Sequence, residues 1–153
     1  MRALARGAAI APTELARALD TSSETVEAFL NDPAVKSVVQ WNAEGHIQAF
    51  WGLSVTPTPH RLTIKERTLW AWCAQDTLFI PELLGETAEI ESRDPETRQS
   101  IHLTVSPARI ETVEPVATVV IAVRAEGRDL STVERLMASF CHHIFFFASR
   151  QSG

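Results

Sequence analysis

The chain has 153 residues, of which 45% are hydrophobic and 22% charged, and its formal net charge is −5. This length is typical of a protein that buries a core without disulfide staples, while the acidic balance and dispersed basic residues argue against a nucleic-acid-binding protein. No apolar run reaches the ~18 residues of a membrane span. An export signal has an uninterrupted apolar stretch, whereas Arg6 and Gly7 break the apolar stretch at the start of this chain. We therefore expect a cytoplasmic location, where cysteines are more often reduced than paired.

The first third of the chain predicts two short helices. Pro12 fits the first position of a helix over residues 12–19. Thr21 and Glu24 match a capping box at the start of a second helix, which is expected to end before Pro33. Helical periodicity turns a set of apolar side chains inward, namely Leu15, Ala18, Leu19, Val26, Phe29 and Leu30.

A hairpin is predicted to follow these helices. Residues 38–41 and 46–53 have the composition of two strands joined by a short turn. A helix pair followed by a hairpin is typical of a winged helix, so we predict a winged-helix-like N-terminal lobe over residues 1–55. The two prolines of residues 56–60 favour an extended linker, and a second domain is predicted over residues 60–153.

The second domain is predicted to be a mixed core of strands and helices. A strand is expected over residues 61–64, followed by a helix over residues 68–84 that is interrupted near Pro81 and stops at Gly85. The other predicted elements are strands over residues 87–92, 100–106, 110–113 and 117–123, an amphipathic helix over 129–137, and a buried strand or helix over 143–148. The fold class is thus α+β, with the helical lobe preceding a mixed, mostly antiparallel sheet packed with helices.

Three residues carry most of the chemical information in the chain. Cys73 and Cys141 are its two cysteines, and each lies in a stretch rich in aromatic and apolar residues. Asp76 follows Cys73 by three residues, so on a helix the thiol and the carboxyl would share a face. A pair of soft sulfur ligands beside one proton carrier suits chemistry on a soft metal.

The ordered motifs around these residues resemble the organomercurial (alkylmercury) lyase family. The motifs are Trp70-Ala-Trp-Cys-Ala-Gln-Asp76 continuing to Gly85, His102-Leu-Thr-Val-Ser-Pro107 with Val113-Glu-Pro115 behind it, and Ser139-Phe-Cys-His-His143 continuing to Ser149. The likeness covers residues ~45 to 150, and it implies a winged-helix-like N-terminal part and an α+β core. The chain departs from the family pattern in lacking the structural cysteine around residues 92–94 and in stopping soon after the second cysteine motif.

The resemblance also implies roles for the three residues. Cys73 and Cys141 would be the thiolates that bind mercury, as substrate and as product, and Asp76 would be the proton shuttle and a further mercury contact. The carbon–mercury bond would break by protonolysis without an organic cofactor. The substrate would be a small organomercurial, aided by small cellular thiols, and Hg(II) would pass to a mercuric reductase. An apolar pocket is expected to raise the pKa of Asp76, with walls formed by Trp70, Trp72, Phe79 and Phe145.

Several alternatives remain open from the residues alone. Free cysteines are often inert core residues, and one structural disulfide would also fit two cysteines. His142 and His143 beside Cys141 suggest zinc, but the spacing matches no common closed zinc site; we expect one histidine to pack and the other to find a hydrogen-bond partner. A non-catalytic mercury carrier or sensor would need only the sulfurs. A DNA-binding regulator would use the two predicted N-terminal helices, whose short connection matches a helix-turn-helix.

Overall fold

The computed structural model describes residues 1–122 and 124–153. The helices are α1 (Pro12–Ala18), α2 (Ser23–Asn31), α3 (Pro33–Lys36), α4 (Ala74–Leu84) and α5 (Val133–Ser139), with 3-10 turns at Leu4–Arg6 and Cys141–His143. The strands are β1 (Val39–Trp41), β2 (Ile47–Phe50), β3 (Leu53–Ser54), β4 (His60–Ile64), β5 (Arg67–Ala71), β6 (Ala88–Arg93), β7 (Ser100–Val105), β8 (Ile110–Glu114), β9 (Val119–Ile121) and β10 (Phe145–Phe147).

The main sheet has eight strands in the order β1-β2-β3-β5-β4-β6-β7-β8, and every neighbouring pair is antiparallel. A second, two-stranded sheet pairs β9 with β10. Strand β6 shows the period of two that places one face in the core, since its residues alternate between buried and exposed. The predicted α+β class with a mostly antiparallel sheet is confirmed.

The N-terminal helices form, but their inner faces differ from the prediction. Val26 and Leu30 are buried as expected, whereas Leu19 is 62% and Phe29 50% exposed. Ala18 is exposed as well, and the buried residue of α1 is Ala16. The mispredicted side chains line an apolar cavity of about 400 Å³ beneath the N-terminal residues, together with Met1, Leu4, Ile10, Leu15, Leu30, Ile47 and Phe50. The side chains that helical periodicity predicts to be buried lie beside apolar neighbours, but those neighbours do not cover them.

The capping prediction for α2 is one residue out of place. Ser22 is the N-cap, and its Oγ accepts a hydrogen bond from the backbone N–H of Thr25 at 3.1 Å. Thr21 was the predicted cap. The helix ends at Asn31, before Pro33, as the sequence predicts. Asp32 then caps the short α3 by accepting from the Ala34 amide at 2.9 Å.

The predicted hairpin is present, and its second strand is divided. β1 pairs with β2, but residues 46–53 contain β2, a two-residue turn at Trp51 and Gly52, and the start of β3. This hairpin forms one edge of the eight-stranded sheet, and its buried residues belong to the same core cluster as those of the later strands. The division into residues 1–55 and 60–153 stays a prediction.

The largest error of the sequence reading concerns residues 68–84. The predicted helix is a strand, β5, followed by the shorter helix α4, because Leu69 and Ala71 alternate with less buried residues and β5 pairs with both β3 and β4. Two flanking strands stabilise the extended conformation over any local helix preference. Pro81 lies inside α4 without ending it, and Gly85 ends the helix with φ 74° as expected.

The predicted elements of the C-terminal third form with shifted ends. The strands predicted over residues 87–92, 100–106 and 110–113 correspond to β6, β7 and β8. β9 lies within the strand predicted over 117–123, whose last residue, Val123, lies outside the described part of the chain. α5 begins at Val133 and not at residue 129, since Thr132 caps it, and the closing segment is the strand β10. Within the described ranges, no helix is long and apolar enough to cross a membrane.

Candidate active site

Cys73 and Asp76 are joined by the N-terminal cap of α4. Cys73 is the N-cap residue, in an extended conformation, and Asp76 is the third residue of the helix. The Asp76 carboxylate turns back and accepts a hydrogen bond from the backbone N–H of Cys73, with 3.0 Å between N and Oδ2. Cys73 therefore lies at the start of α4, which begins at Ala74 and not, as predicted, at residue 68. The amide dipoles at this end favour negative charge on either side chain.

Cys141 reaches the same place from the opposite end of the sequence. It begins the 3-10 turn after α5, and Ile144, just beyond this turn, accepts a hydrogen bond from the backbone N–H of Ala74 at 3.2 Å. This bond fixes the segment after Cys141 against the first residue of α4. The Cys73 Sγ, the Cys141 Sγ and an Asp76 carboxylate oxygen lie within 4.8 Å of one another. The structure thus brings all three predicted site residues together.

The three side chains are enclosed by protein. Cys73 is 2%, Cys141 5% and Asp76 9% exposed, and both cysteines are free. The hydrogen bond to Cys141, burial and the nearby Asp76 charge all raise the pKa of the Cys73 thiol, so Cys73 rests as a thiol. Burial raises the pKa of Asp76 to about 6, against the opposing effect of its hydrogen bonds with Cys73. The direction of this shift agrees with the expectation for Asp76, and a carboxyl with a pKa of about 6 exchanges protons readily near neutral pH.

A buried polar network anchors the strand that follows Cys141. Asp94 is fully buried and accepts hydrogen bonds from the Ala148 amide at 2.8 Å and from the Ser152 hydroxyl at 2.7 Å. Burial opposes ionisation of Asp94, but these bonds and those from two turn amides outweigh it and hold its pKa well below the usual range. Asp94 lies in the segment where the resembled family often has a structural cysteine. Here a carboxylate ties β6 to the C-terminal residues.

His60 packs against the same strand, β10. Its Nδ1 lies 2.9 Å from the Ser92 hydroxyl, and its ring packs edge-on against Phe146 with 6.0 Å between centroids. Burial lowers the pKa of His60 to about 4, so the imidazole is neutral near pH 7. His60 was predicted as part of a linker. The structure shows it instead as a core residue of β4.

Two further features near the cluster were not identified from the sequence, namely the position of Gly52 and the buried Nε1 of Trp72. The backbone of Gly52 lies against the Asp76 carboxylate, so closely that an added Cβ would lie 2.5 Å from Cγ. The Nε1 of Trp72 is buried without a hydrogen-bond partner among the residues that the structure describes. An unpaired buried donor of this kind costs about 1–3 kcal/mol. The turn-forming preference of Gly52 was a readable signal, but its contact with Asp76 was not.

The zinc alternative receives no support from the histidines. His142 and His143 are both exposed, and His143 Nε2 lies 3.0 Å from the backbone carbonyl oxygen of Ala138. The expectation that one histidine has a hydrogen-bond partner is confirmed, and the expectation that the other packs is wrong. In the described parts of the chain, the metal-ligand cluster consists of Cys73, Asp76 and Cys141. Its two sulfurs favour a soft metal.

Comparison with known proteins shows the family of this chain. The model of the alkylmercury lyase (MerB) family matches residues 53–152. An alkylmercury lyase of Pseudomonas putida is 35% identical over 149 residues, which are 97% of this chain and 66% of that protein. One from Staphylococcus epidermidis is 38% identical over 111 residues, covering 72% of this chain and 49% of the relative. One from Streptomyces lividans is 31% identical over 153 residues, covering 100% of this chain and 67% of the relative.

A solved structure shares the fold. It is described as the crystal structure of the mercury-bound form of MerB2, and it superposes with a TM-score of 0.79 at 26% identity, covering 97% of this chain and 70% of that chain. The fold is α+β, and it buries a cluster of two thiols and one carboxyl that could hold a metal ion. With the family match over residues 53–152, the chain belongs to the alkylmercury lyase family. It spans between about half and two thirds of the length of these relatives.

Proposed function

We propose that this protein is an organomercurial lyase, which cleaves a carbon–mercury bond by protonolysis to give a hydrocarbon and Hg(II). The observation that carries the proposal is the convergence of Cys73, Cys141 and Asp76 within 4.8 Å in a chain of the alkylmercury lyase family. Sulfur–metal bonds of about 2.3 Å, as zinc forms, place two sulfurs on one ion at most about 4.6 Å apart. The two cysteine sulfurs, which lie within 4.8 Å of each other, are therefore close to the separation at which one mercury atom could bind both.

Capture of the substrate is a thiol exchange on mercury. The organomercurial arrives as its adduct with a small cellular thiol, and one cysteine displaces that thiol. A sulfur–mercury bond to the cysteine forms, the bond to the small thiol breaks, and the cysteine proton leaves with the released thiol. Sulfur is the preferred donor because a soft ligand binds a soft metal more strongly than oxygen or imidazole does.

Cleavage needs the second cysteine and Asp76. The second thiol transfers its proton to the Asp76 carboxylate as its sulfur binds mercury, which increases the electron density on the metal. Asp76 then donates this proton to the carbon, and the electron pair of the carbon–mercury bond becomes the new carbon–hydrogen bond. The hydrocarbon leaves, Hg(II) remains on the two thiolates, and the Asp76 carboxylate is regenerated. A pKa of about 6 allows Asp76 to accept and donate within one cycle.

The proposal includes the fate of the product and the setting of the reaction. Hg(II) on the cysteine pair leaves by exchange with another dithiol, such as that of a mercuric reductase. No organic cofactor takes part in these steps, because thiols and a carboxyl supply all the groups they require. We place the reaction in the cytoplasm, where thiols stay reduced, in keeping with the two free cysteines.

The proposal also covers the N-terminal part of the chain. We propose that residues 1–55 are a winged-helix-like structural lobe without a nucleic-acid ligand. The support is the order of α1, α2 and the β1–β2 hairpin, together with the net charge of −5. Affinity for duplex DNA that falls with added salt would contradict this part of the proposal.

A cleavage assay tests the proposed activity. Reduced protein is incubated with phenylmercury and excess small thiol, and the release of benzene and Hg(II) is followed. Wild type and Glu82→Ala, an exposed position on α4, should release benzene. Cys73→Ser and Cys141→Ser should release none, while Asp76→Ala should retain phenylmercury and lose at least about 100-fold in benzene release, the usual size of a general acid–base contribution.

The outcomes of this assay separate two functions. Benzene release by Asp76→Ala at the wild-type rate would overturn the proton shuttle. Tight binding of phenylmercury by the wild type without benzene release would instead identify a mercury carrier, for which the sulfurs alone suffice. Binding of duplex DNA together with no phenylmercury retention would favour the regulator considered from the sequence.

A further inference from the structure

The turn between β2 and β3 has a backbone that few residues adopt without strain. Phe50 pairs with Leu53, so Trp51 and Gly52 are the two residues of a tight hairpin turn. Both have positive φ, 48° for Trp51 and 87° for Gly52. Such turns favour asparagine or aspartate followed by glycine, and a bulky tryptophan at positive φ is unfavourable. Strained backbone that persists in a fold is often found at a functional site.

This turn is held in place from both sides. The backbone N–H of Trp51 donates to the Val38 carbonyl at 2.9 Å, which attaches the turn to the residue before β1. The Gly52 carbonyl accepts from the backbone N–H of Trp72 at 2.9 Å, and Trp72 directly precedes Cys73. The Gly52 peptide is therefore fixed relative to the start of the motif that carries Cys73 and Asp76.

Gly52 also leaves room for the Asp76 carboxyl. A Cβ at residue 52 would lie 2.5 Å from Asp76 Cγ, 2.6 Å from Oδ1 and 3.0 Å from Cβ. These separations are far below van der Waals contact, so a side chain at this position would displace the carboxyl. The other carboxylate oxygen, Oδ2, accepts the Cys73 amide at 3.0 Å, so displacement would also stretch or break that bond.

We propose that Gly52 is a positioning residue for carbon–mercury cleavage, which holds Asp76 against Cys73 by means of a backbone surface that only glycine provides. This inference rests on the proposed lyase function. The Gly52 peptide forms one wall of the site, the Cys73 amide holds the opposite side of the carboxyl, and the two contacts together define where the proton is delivered. Capture of mercury needs the sulfurs and not this alignment, so Gly52 acts on the cleavage step.

The experiment compares Gly52→Ala with Gly45→Ala in the phenylmercury assay. Gly45 also has positive φ, 75°, but a Cβ there meets nothing within 4 Å. Both variants therefore have the backbone strain of alanine at positive φ, and only Gly52→Ala displaces Asp76. We expect Gly52→Ala to lower kcat roughly 100-fold relative to Gly45→Ala, the effect of misplacing a reacting group by about 1 Å, with KM and phenylmercury retention changed less than about 3-fold.

A double-mutant cycle on stability provides a second readout, which also applies if Gly52→Ala folds poorly. Asp76→Ala removes Cγ and Oδ1, the two atoms closest to the added Cβ. In the wild-type background, Gly52→Ala should lower the urea midpoint more than Gly45→Ala does. In the Asp76→Ala background, this excess should largely disappear. Additive effects of the two substitutions would overturn the contact on which the inference depends.

The kinetic outcomes distinguish this inference from the proposed function. If the wild type releases benzene and Gly52→Ala has the same kcat as Gly45→Ala, Gly52 has no positioning role while the lyase function stands. A rise in KM without a fall in kcat would also overturn the inference, because it would place the effect on substrate capture. If the wild type releases no benzene, the lyase function and the positioning role fail together.

Discussion

Replacement of Asp76 by asparagine should change the pH dependence of folding in a way that isolates one carboxyl. The Asp76 side chain is 9% exposed, and burial raises its pKa from 3.8 to about 6. Below pH 3.8 the carboxyl is protonated in both folded and unfolded chains and has no effect. Between pH 3.8 and about 6 the unfolded chain ionises first, so the free energy of unfolding falls as the pH rises. Above about pH 6 the loss is constant at about 3 kcal/mol, from roughly two pKa units at ~1.36 kcal/mol each.

Asparagine has nearly the shape of aspartate and no charge, and its Oδ1 can still accept the Cys73 amide. The stability of Asp76→Asn relative to wild type should therefore rise by about 2 kcal/mol between pH 4 and pH 7.5. His60 titrates in the same window with the opposite sign, because its pKa falls from 6.5 to about 4 on folding. His60 has no effect above about pH 6.5, and the free energy of unfolding falls as the pH drops from 6.5 toward 4, because the unfolded chain binds the proton first. This effect is present in both proteins, so it cancels in the difference.

The measurement is urea unfolding of both proteins at several pH values between 4 and 7.5, under reducing conditions, followed by circular dichroism. Any cost of burying the new amide group does not depend on pH. It shifts the stability difference between Asp76→Asn and wild type by the same amount at every pH and leaves the dependence of that difference on pH unchanged. A difference that stays flat across this range would refute a raised pKa for Asp76. A difference that falls with rising pH would show that Asp76 is stabilised as a carboxylate in the fold. Asp76→Asn should also lose benzene release at every pH.

Two further predictions concern stability. Ser22→Ala should lower the free energy of unfolding by about 1 kcal/mol, because it removes the cap of α2. The control Thr21→Ala should change it by less than about 0.5 kcal/mol. Equal losses for the two variants in urea unfolding would contradict the assignment of Ser22 as the cap. Asp94→Ala should cost about 3 kcal/mol or more, since it leaves the buried Ala148 amide and the turn amides without an acceptor, while the exposed Glu96→Ala should be nearly neutral. Thermal unfolding checks this pair, and similar melting temperatures for the two variants would show that the Asp94 network contributes little.

Local patterns in the chain were sufficient for much of the fold. The N-terminal helices, most of the strands and the stop at Gly85 depend on residues within a few positions of each other, and they form close to where the sequence predicts them. The link between Cys73 and Asp76 is also local, because an N-cap and the third residue of a helix are neighbours in any chain. The resemblance that named the family depends on such short motifs as well.

The errors arise where distant parts of the chain compete with local preference. Residues 67–71 extend because β3 and β4 pair with them on either side, a stabilisation that no local pattern contains. Leu19 and Phe29 remain exposed because the opposing surface leaves a cavity, although their spacing is that of an inner face. In each case the outcome depends on what packs against the segment.

The candidate site likewise combines features that the local sequence predicts with contacts that only long-range packing creates. The sequence determined which residues have the right chemistry, two thiols and a carboxyl, and it placed Asp76 beside Cys73. Only the tertiary structure brought Cys141 to within 4.8 Å of Cys73 and Asp76, where a hydrogen bond from the Ala74 amide to the Ile144 carbonyl holds the two segments together. It also placed the Gly52 peptide against Asp76. The physical reason is that chain order constrains contacts over one or two helical turns, whereas contacts between distant segments are selected by the packing of the whole core.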